Sequence, residues 1–240
     1  MAALLVIKTG AAPPALVARR KDFETWICTG LGVPASEIMV VSVYLDEALP
    51  EITSVSGAVI TGSSSMVTDR AEWSERTAEW LLRAMKVELP ILGICYGHQL
   101  LAQALGGVVD YNPLGRHIGT VDVTLRDEAR GDALFGAFHE TMHLPVSHRQ
   151  SVVKLPEGAV LLASAALDPH HAFRVGQCAW GVQFHPEFDA NVVRGYIETR
   201  RDEMLREGMD PDALWQDAID TADGTILLRR FADVTRKRRQ

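Results

Sequence analysis

The chain has 240 residues, 47% of them hydrophobic and 23% charged, with a formal net charge of −7. That length can bury the core of one soluble globular domain, and the negative balance argues against a nucleic-acid binder, which needs a basic face. No apolar run reaches the ~18 residues of a membrane helix and the segment Met1 to Lys8 is too short for a signal sequence, so a cytoplasmic protein without membrane contact is expected.

The predicted elements begin with a hydrophobic strand from Leu4 to Thr9, followed by Gly10 and by Pro13-Pro14, placed to start a helix. Leu16, Val17, Phe23, Trp26 and Ile27 then recur at helical spacing up to Gly30. Ile38 to Leu45 reads as a second strand, apolar enough to be buried on both faces. Ser56 to Thr61 is a third, running into Gly62-Ser63-Ser64-Ser65. Trp73 to Val87 is a helix with Ala78, Leu81, Leu82 and Met85 inward. Pro90 to Ile94 is a short apolar strand; after Cys95 the pattern turns helical through Leu100, Leu101, Ala104 and Leu105, and Gly106-Gly107 stops it. Strands alternating with helices indicate a mostly parallel sheet covered on both faces, an α/β three-layer sandwich. Its active site belongs at the carboxyl ends of the strands, where Cys95 falls.

Past Gly107 the strands shorten. Ile118 to Leu125 alternates as a half-buried strand, and runs at Met142 to Val146, Val160 to Ala163, His171 to Val175 and Ala179 to Phe184 predict an antiparallel extension that returns to the sheet and delivers His185. A helix from Asp189 to Arg206 closes the domain, with Val192, Val193, Tyr196, Ile197 and Leu205 among its apolar positions. We therefore divide the chain into a catalytic domain, 1–207, and a C-terminal helical extension, 208–240. The extension starts a helix at Asp210-Pro211-Asp212 and ends in the basic run Arg236 to Arg239, read as a solvated helix end.

Two segments carry chemistry. Gly93-Ile94-Cys95-Tyr96-Gly97 lies between a strand and a helix, the spacing of a nucleophile elbow, whose sharp turn pushes the nucleophile out of the sheet. A thiol at a helix N-terminus is in the setting that favours thiolate. Ninety residues on, a strand ends in His185-Pro186-Glu187. Cysteine, histidine and an orienting carboxylate are the generalised nucleophile, base and orienter. The other two cysteines, Cys28 and Cys178, have no metal or disulfide spacing and read as core residues.

The elbow, extended to Gly93-x-Cys95-x-Gly97-x-Gln99, together with the late His185-Pro186-Glu187, resembles class I glutamine amidotransferases, and within them the stand-alone relatives of the amidotransferase domain of GMP synthase. The likeness runs over about residues 3 to 200. It implies a flavodoxin-like fold and a Cys95-His185-Glu187 triad that hydrolyses the glutamine side-chain amide through a γ-glutamyl thioester. It implies ammonia delivered to a separate acceptor synthase, with no cofactor. The oxyanion donors implied are Tyr96 and the Gly62-Ser63 turn, where the family usually carries two glycines or Asn-Gly. Gln99, Ser147 and His148 are implied as substrate contacts, the last two from Ser147-His148-Arg149-Gln150.

Two alternatives stay open. The same triad can serve a hydrolase of γ-glutamyl peptides or amines, and the fold can host a non-catalytic binding module, against which the intact triad argues. His139-Glu140-Thr141-Met142-His143 matches the zinc-protease pattern H-E-x-x-H, but that pattern needs a helix. Gly136 before it, Pro145 after it and the strand implied from Met142 deny one, so no metal is expected. His170-His171 reads as a surface pair.

Overall fold

The computed structural model describes residues 2–237, and Arg238 and Arg239 of the basic run lie outside them. The parallel half is built from β1 (Ala3–Lys8), β2 (Ile38–Ser42), β3 (Val55–Ile60), β4 (Ile91–Ile94) and β11 (Ala179–Val182). The antiparallel half is β6 (His117–Leu125), β7 (Thr141–His148), β9 (Val160–Ala165) and β10 (Asp168–Val175). Together they form one nine-stranded sheet in the order β2-β1-β3-β4-β11-β10-β9-β6-β7. The switch between halves falls at β11, which pairs parallel to β4 and antiparallel to β10.

Alternation along β1 shows how the layers arise. Leu5 and Ile7 face one side, where they join Trp80, Leu81 and Ala84 of α3 (Glu72–Lys86) and Leu100 and Leu101 of α4 (Tyr96–Ala104). Leu4 and Val6 face the other, with Ile27 and Leu31 of α2 (Phe23–Leu31) and Leu227, Leu228 and Phe231 of α8 (Asp223–Lys237). The result is the three-layer α/β sandwich, with a central sheet whose core half is parallel. The residues past 207 thus share this core, and α8 crosses α2 where Gly30 makes room: a Cβ there would lie 2.3 Å from Leu228 Cδ1.

Several elements depart from the sequence expectation. The first helix is two, α1 (Pro14–Arg20) and α2, because Lys21 takes a positive φ of 68° and Asp22 caps the second helix. Asp22 also accepts from Ala12 N–H and pairs with Lys8 at 2.8 Å, so one buried carboxylate fixes the break. The strand expected at 38–45 stops at Ser42, and it is an edge strand. Its apolar Met39 and Val40 are exposed rather than buried on both faces.

On α3 the inward face is Thr77, Trp80, Leu81 and Ala84, which leaves Leu82 exposed. The closing helix is α5 (Ala190–Thr199) and α6 (Arg201–Arg206), broken at Arg200, and Leu205 is exposed. Two strands were not anticipated: β5 (Val108–Tyr111) and β8 (Gln150–Lys154), which pair as a separate ribbon. His170-His171 lies inside β10, and His171 is fully buried, which corrects the surface reading. After α7 (Pro211–Gln216), whose start Asp210 caps, α8 completes the chain's described part. Among the described residues, no helix is long and apolar enough to cross a membrane.

Candidate active site

The register of β4 with β11 places the chemistry. Ile94 pairs with Val182, and the next residue, Cys95, donates its N–H to Val182 O at 2.8 Å. Cys95 therefore leaves the sheet beside the strand that leads into His185. Its backbone sits at φ 50°, ψ −98°, outside the region that side chains favour, as an elbow nucleophile requires. The flanking glycines permit this by close packing. A Cβ on Gly93 would lie 2.3 Å from Gly97 O, and one on Gly97 would lie 2.6 Å from Ile60 O. Helix α4 starts at once, with Gln99 N–H bonded to Cys95 O.

His185 is held on every side. Its N–H donates to Pro145 O at 2.8 Å, and its ring stacks on Phe188 at 4.0 Å and 7°. Its Nδ1 and Glu187 Oε1 are 2.8 Å apart, which assigns the proton to Nδ1 and leaves Nε2 for the cysteine. The Glu187 side chain is wholly buried. Burial by itself lowers the His185 pKa; the charge of Glu187, then that of Cys95, outweighs it and pushes the value up to about 10. A charged imidazolium beside the sulfur is the state that a cysteine nucleophile uses.

The two groups open into two lobes of one cleft. Cys95, Tyr96 and Gln99 line a cavity of about 150 Å³, and Phe23, His185 and Tyr196 line one of about 220 Å³; Ser63, Ser64, Ser147 and Arg200 belong to both. Such volumes suit an amino-acid-sized ligand better than a large one. The Cys95 thiol points toward Ser147 O at 4.0 Å.

The expected substrate and oxyanion residues divide into groups. Gly62 packs directly against His185, since a Cβ there would lie 2.7 Å from His185 Cε1. Ser63 and Tyr96 border the cleft, and the loop bearing Ser63 is pinned. Ser63 Oγ donates to Thr9 O at 2.8 Å and accepts from Ser65 N–H, while Thr9 N–H donates to Thr61 Oγ1. Gln99 lines the cavity, but its Nε2 is committed inward, to Gln150 O at 2.7 Å and Gln183 Oε1 at 3.0 Å. Ser147 lies at the junction of the lobes. His148 borders the cleft, yet its ring is buried against His117 and His171, and Nδ1 donates to Gln150 O. Its side chain belongs to the interior.

The H-E-x-x-H run is not helical. His143 lies in β7, exposed, with Nδ1 2.7 Å from Asp122.

Sequence reasoning missed Arg116, Arg200 and Phe188. Arg116 is neutralised by Glu203 and Glu207. Arg200 is far less engaged: Glu203 is 3.9 Å away, and its buried Nε has no hydrogen-bond partner. Its sequence position gives no signal, because the spacing predicts an unbroken helix from Asp189 to Arg206. Phe188 was legible in principle, being the residue that directly follows His-Pro-Glu.

Comparison with known proteins places the chain in a family. The family model for glutamine amidotransferase class-I matches residues 22–198. A glutamine-hydrolyzing GMP synthase from Porphyromonas gingivalis is 32% identical over 187 residues, 77% of this chain but 33% of that protein, so the chain spans about a third of that relative's length. Gamma-glutamyl peptidase 3 of Arabidopsis thaliana is 27% identical over 146 residues, 60% of this chain and 59% of that one. Among solved structures, a glutamine amidotransferase from Thermotoga maritima superposes with a TM-score of 0.77 at 21% identity, over 98% of both chains. The strained cysteine turn, the parallel half-sheet that carries it and the match across 22–198 have one reading: the chain belongs to the class-I glutamine amidotransferase family.

Proposed function

We propose that the chain hydrolyses the glutamine side-chain amide with Cys95 as nucleophile, His185 as base and acid, and Glu187 as orienter, and that the ammonia serves a separate acceptor synthase. The observation that carries the reading is the pairing of Val182 with Ile94, which brings the cysteine elbow beside a histidine held at 2.8 Å by a buried glutamate. In the first step Cys95 Sγ bonds to the amide carbon, and its proton travels through His185 Nε2 to the departing nitrogen. Ammonia leaves and a γ-glutamyl thioester remains. In the second, His185 takes a proton from water, whose oxygen attacks the thioester; glutamate leaves and the proton returns to sulfur. The N–H groups of Tyr96 and Ser63 would carry the oxyanion, and Arg200 would meet the α-carboxylate.

A second reading has a specific observation behind it. An amidotransferase that waits for a synthase needs an unfinished site, and the Gly62–Ser65 loop, whose turn would supply the second oxyanion donor, is where a partner would complete it. Here that loop is tied to Thr9 by the chain's own hydrogen bonds, from Thr9 Oγ1 to Gly62 O and from Ser63 Oγ to Thr9 O. A loop set in advance suits a γ-glutamyl peptide or amine hydrolase, and the 220 Å³ lobe beyond His185 has room for a leaving group larger than ammonia. The likeness to gamma-glutamyl peptidase 3 points the same way.

The deciding measurement is kcat/KM of the isolated chain for glutamine against γ-glutamyl dipeptides. Slow glutamine turnover with no dipeptide preference supports ammonia donation. A dipeptide preferred a hundredfold, and turned over quickly alone, sinks that reading and leaves the peptidase.

A further inference from the structure

Beside the cleft, the antiparallel half of the sheet encloses a group of buried histidines that the hydrolytic chemistry does not use. His148 ends β7, its register partner His117 begins β6, and Asp168 and His171 lie at the start of β10. Relative exposures are 6% for His117 and His148 and 0% for Asp168 and His171. The atoms that should be satisfied there are not. His148 Nε2, both nitrogens of His171, His117 Nδ1 and Asp168 Oδ2 have no hydrogen-bond partner. Buried polar atoms in native proteins are nearly always paired, so a concentration of atoms without a protein partner in one place is a donor set suited to a ligand.

The orphans form a donor set. One ligand atom from each of His148, Asp168 and His171 lies within 4.8 Å of the others, and His171 Nδ1 and Asp168 Oδ2 are already at 3.8 Å. A tetrahedral zinc with bonds of ~2.0–2.1 Å places its ligand atoms ~3.3 Å apart, so modest rotations would close the set.

The outer contacts are those that metal ligands use. His148 Nδ1–H donates to Gln150 O at 3.0 Å, which fixes Nε2 as the free lone pair. Asp168 Oδ1 accepts from His170 N–H, which orients Oδ2 inward. The His117 ring stands 5.3 Å from His148 and 6.0 Å from His171, placed to supply a fourth nitrogen. His148 borders the catalytic cavity, which gives an ion its way in. Two or three imidazoles and one carboxylate are borderline ligands, suited to zinc rather than to calcium or magnesium.

We propose that His148, Asp168 and His171, with His117 beside them, form a buried zinc-class metal site. The ion would lock the ends of β6, β7 and β10 together behind Ser147, whose carbonyl lies 4.0 Å from the Cys95 sulfur. This site is distinct from the H-E-x-x-H run, whose His143 lies exposed on Asp122.

The test begins with Cys95→Ala protein, in which the catalytic thiol can no longer hold an ion. It is stripped with a chelator and titrated with zinc against a chromophoric competitor. The expected result is one equivalent bound, a Tm that rises with zinc, and binding weakened in Asp168→Asn and His171→Gln by more than the ~10–100-fold that loss of an outer contact costs. A His143→Ala control should bind as well as its parent. Should the buried variants fail to fold, anomalous diffraction from zinc-loaded Cys95→Ala crystals decides: a peak between His148 and Asp168 supports the site. No stoichiometric binding, a peak only at His143 and Asp122, or an ordered water alone at the cluster overturns it.

Discussion

Substituting Gly62 by alanine should slow the chemistry while leaving the nucleophile untouched. The added Cβ would lie 2.7 Å from His185 Cε1 and 3.3 Å from Phe23 Cε1. Ordinary carbon contacts begin near ~3.4 Å, so the imidazole must retreat by about 0.7 Å. It has nowhere easy to go: Phe188 stacks on the ring at 4.0 Å, and Glu187 holds Nδ1 at 2.8 Å. Misplacing a catalytic group by ~1 Å can cost ~10²-fold in rate. We therefore expect kcat to fall roughly 30–100-fold, about 2–2.7 kcal/mol of barrier, with KM nearly unchanged. Gly62 does not occupy the positive-φ region, so backbone strain should contribute little. The assay is steady-state release of glutamate from glutamine and from a γ-glutamyl dipeptide, with Tm and Cys95 alkylation as controls for folding. Wild-type kcat/KM in Gly62→Ala would refute the placement of the base against this turn.

Cys95→Ala should lose several orders of magnitude in turnover and keep its fold, and peptide mapping should find Cys95 alkylated by iodoacetamide before Cys28 and Cys178. Burial, then Glu24, raises the Cys28 thiol pKa and so disfavours its reactive form. Glu187→Gln should cost stability in a pH-dependent way. His185 has a raised folded pKa, so its stabilisation is fully present below the unfolded value of ~6.5 and is lost as pH rises toward about 10. The gap between wild type and Glu187→Gln in denaturant unfolding should accordingly narrow from pH 6 to pH 9.5, and a constant gap would contradict the charged pair. Leu228→Ala empties a fully buried contact with α2 and should cost about 2–5 kcal/mol. A chain truncated before Asp223 should lose cooperative unfolding, whereas intact cooperativity would mark 208–240 as a true appendage.

The sequence by itself determined the features that depend on neighbours along the chain. A strand, a glycine-flanked cysteine and a helix are local, because Gly93 packs against Gly97 within the elbow itself and the spacing of the two announces it, although Gly97 also gives way to Ile60 of β3. The alternation of apolar strands and helices likewise declared a mostly parallel sheet covered on both faces. His185 and Glu187 were legible because a proline between them fixes their relation within three residues.

What only the tertiary structure decided is what depends on which strand lies beside which. Ile38 to Ser42 is as apolar as a central strand, yet its place at the sheet edge exposes Met39 and Val40. Asp22 looks like any helical aspartate until Lys8 and Ala12, brought close by the fold, turn it into a cap that splits the helix. Arg200 reaches the cleft because a helix breaks there. The His170-His171 pair is polar and reads as a surface feature, yet polarity along the chain says nothing of the partners that strand pairing supplies, and His171 is buried. Only the return of β6, β7 and β10 to the antiparallel half of the sheet gathers His117, His148, Asp168 and His171 from over 50 residues of sequence, since burial is a property of the sheet and not of the segment.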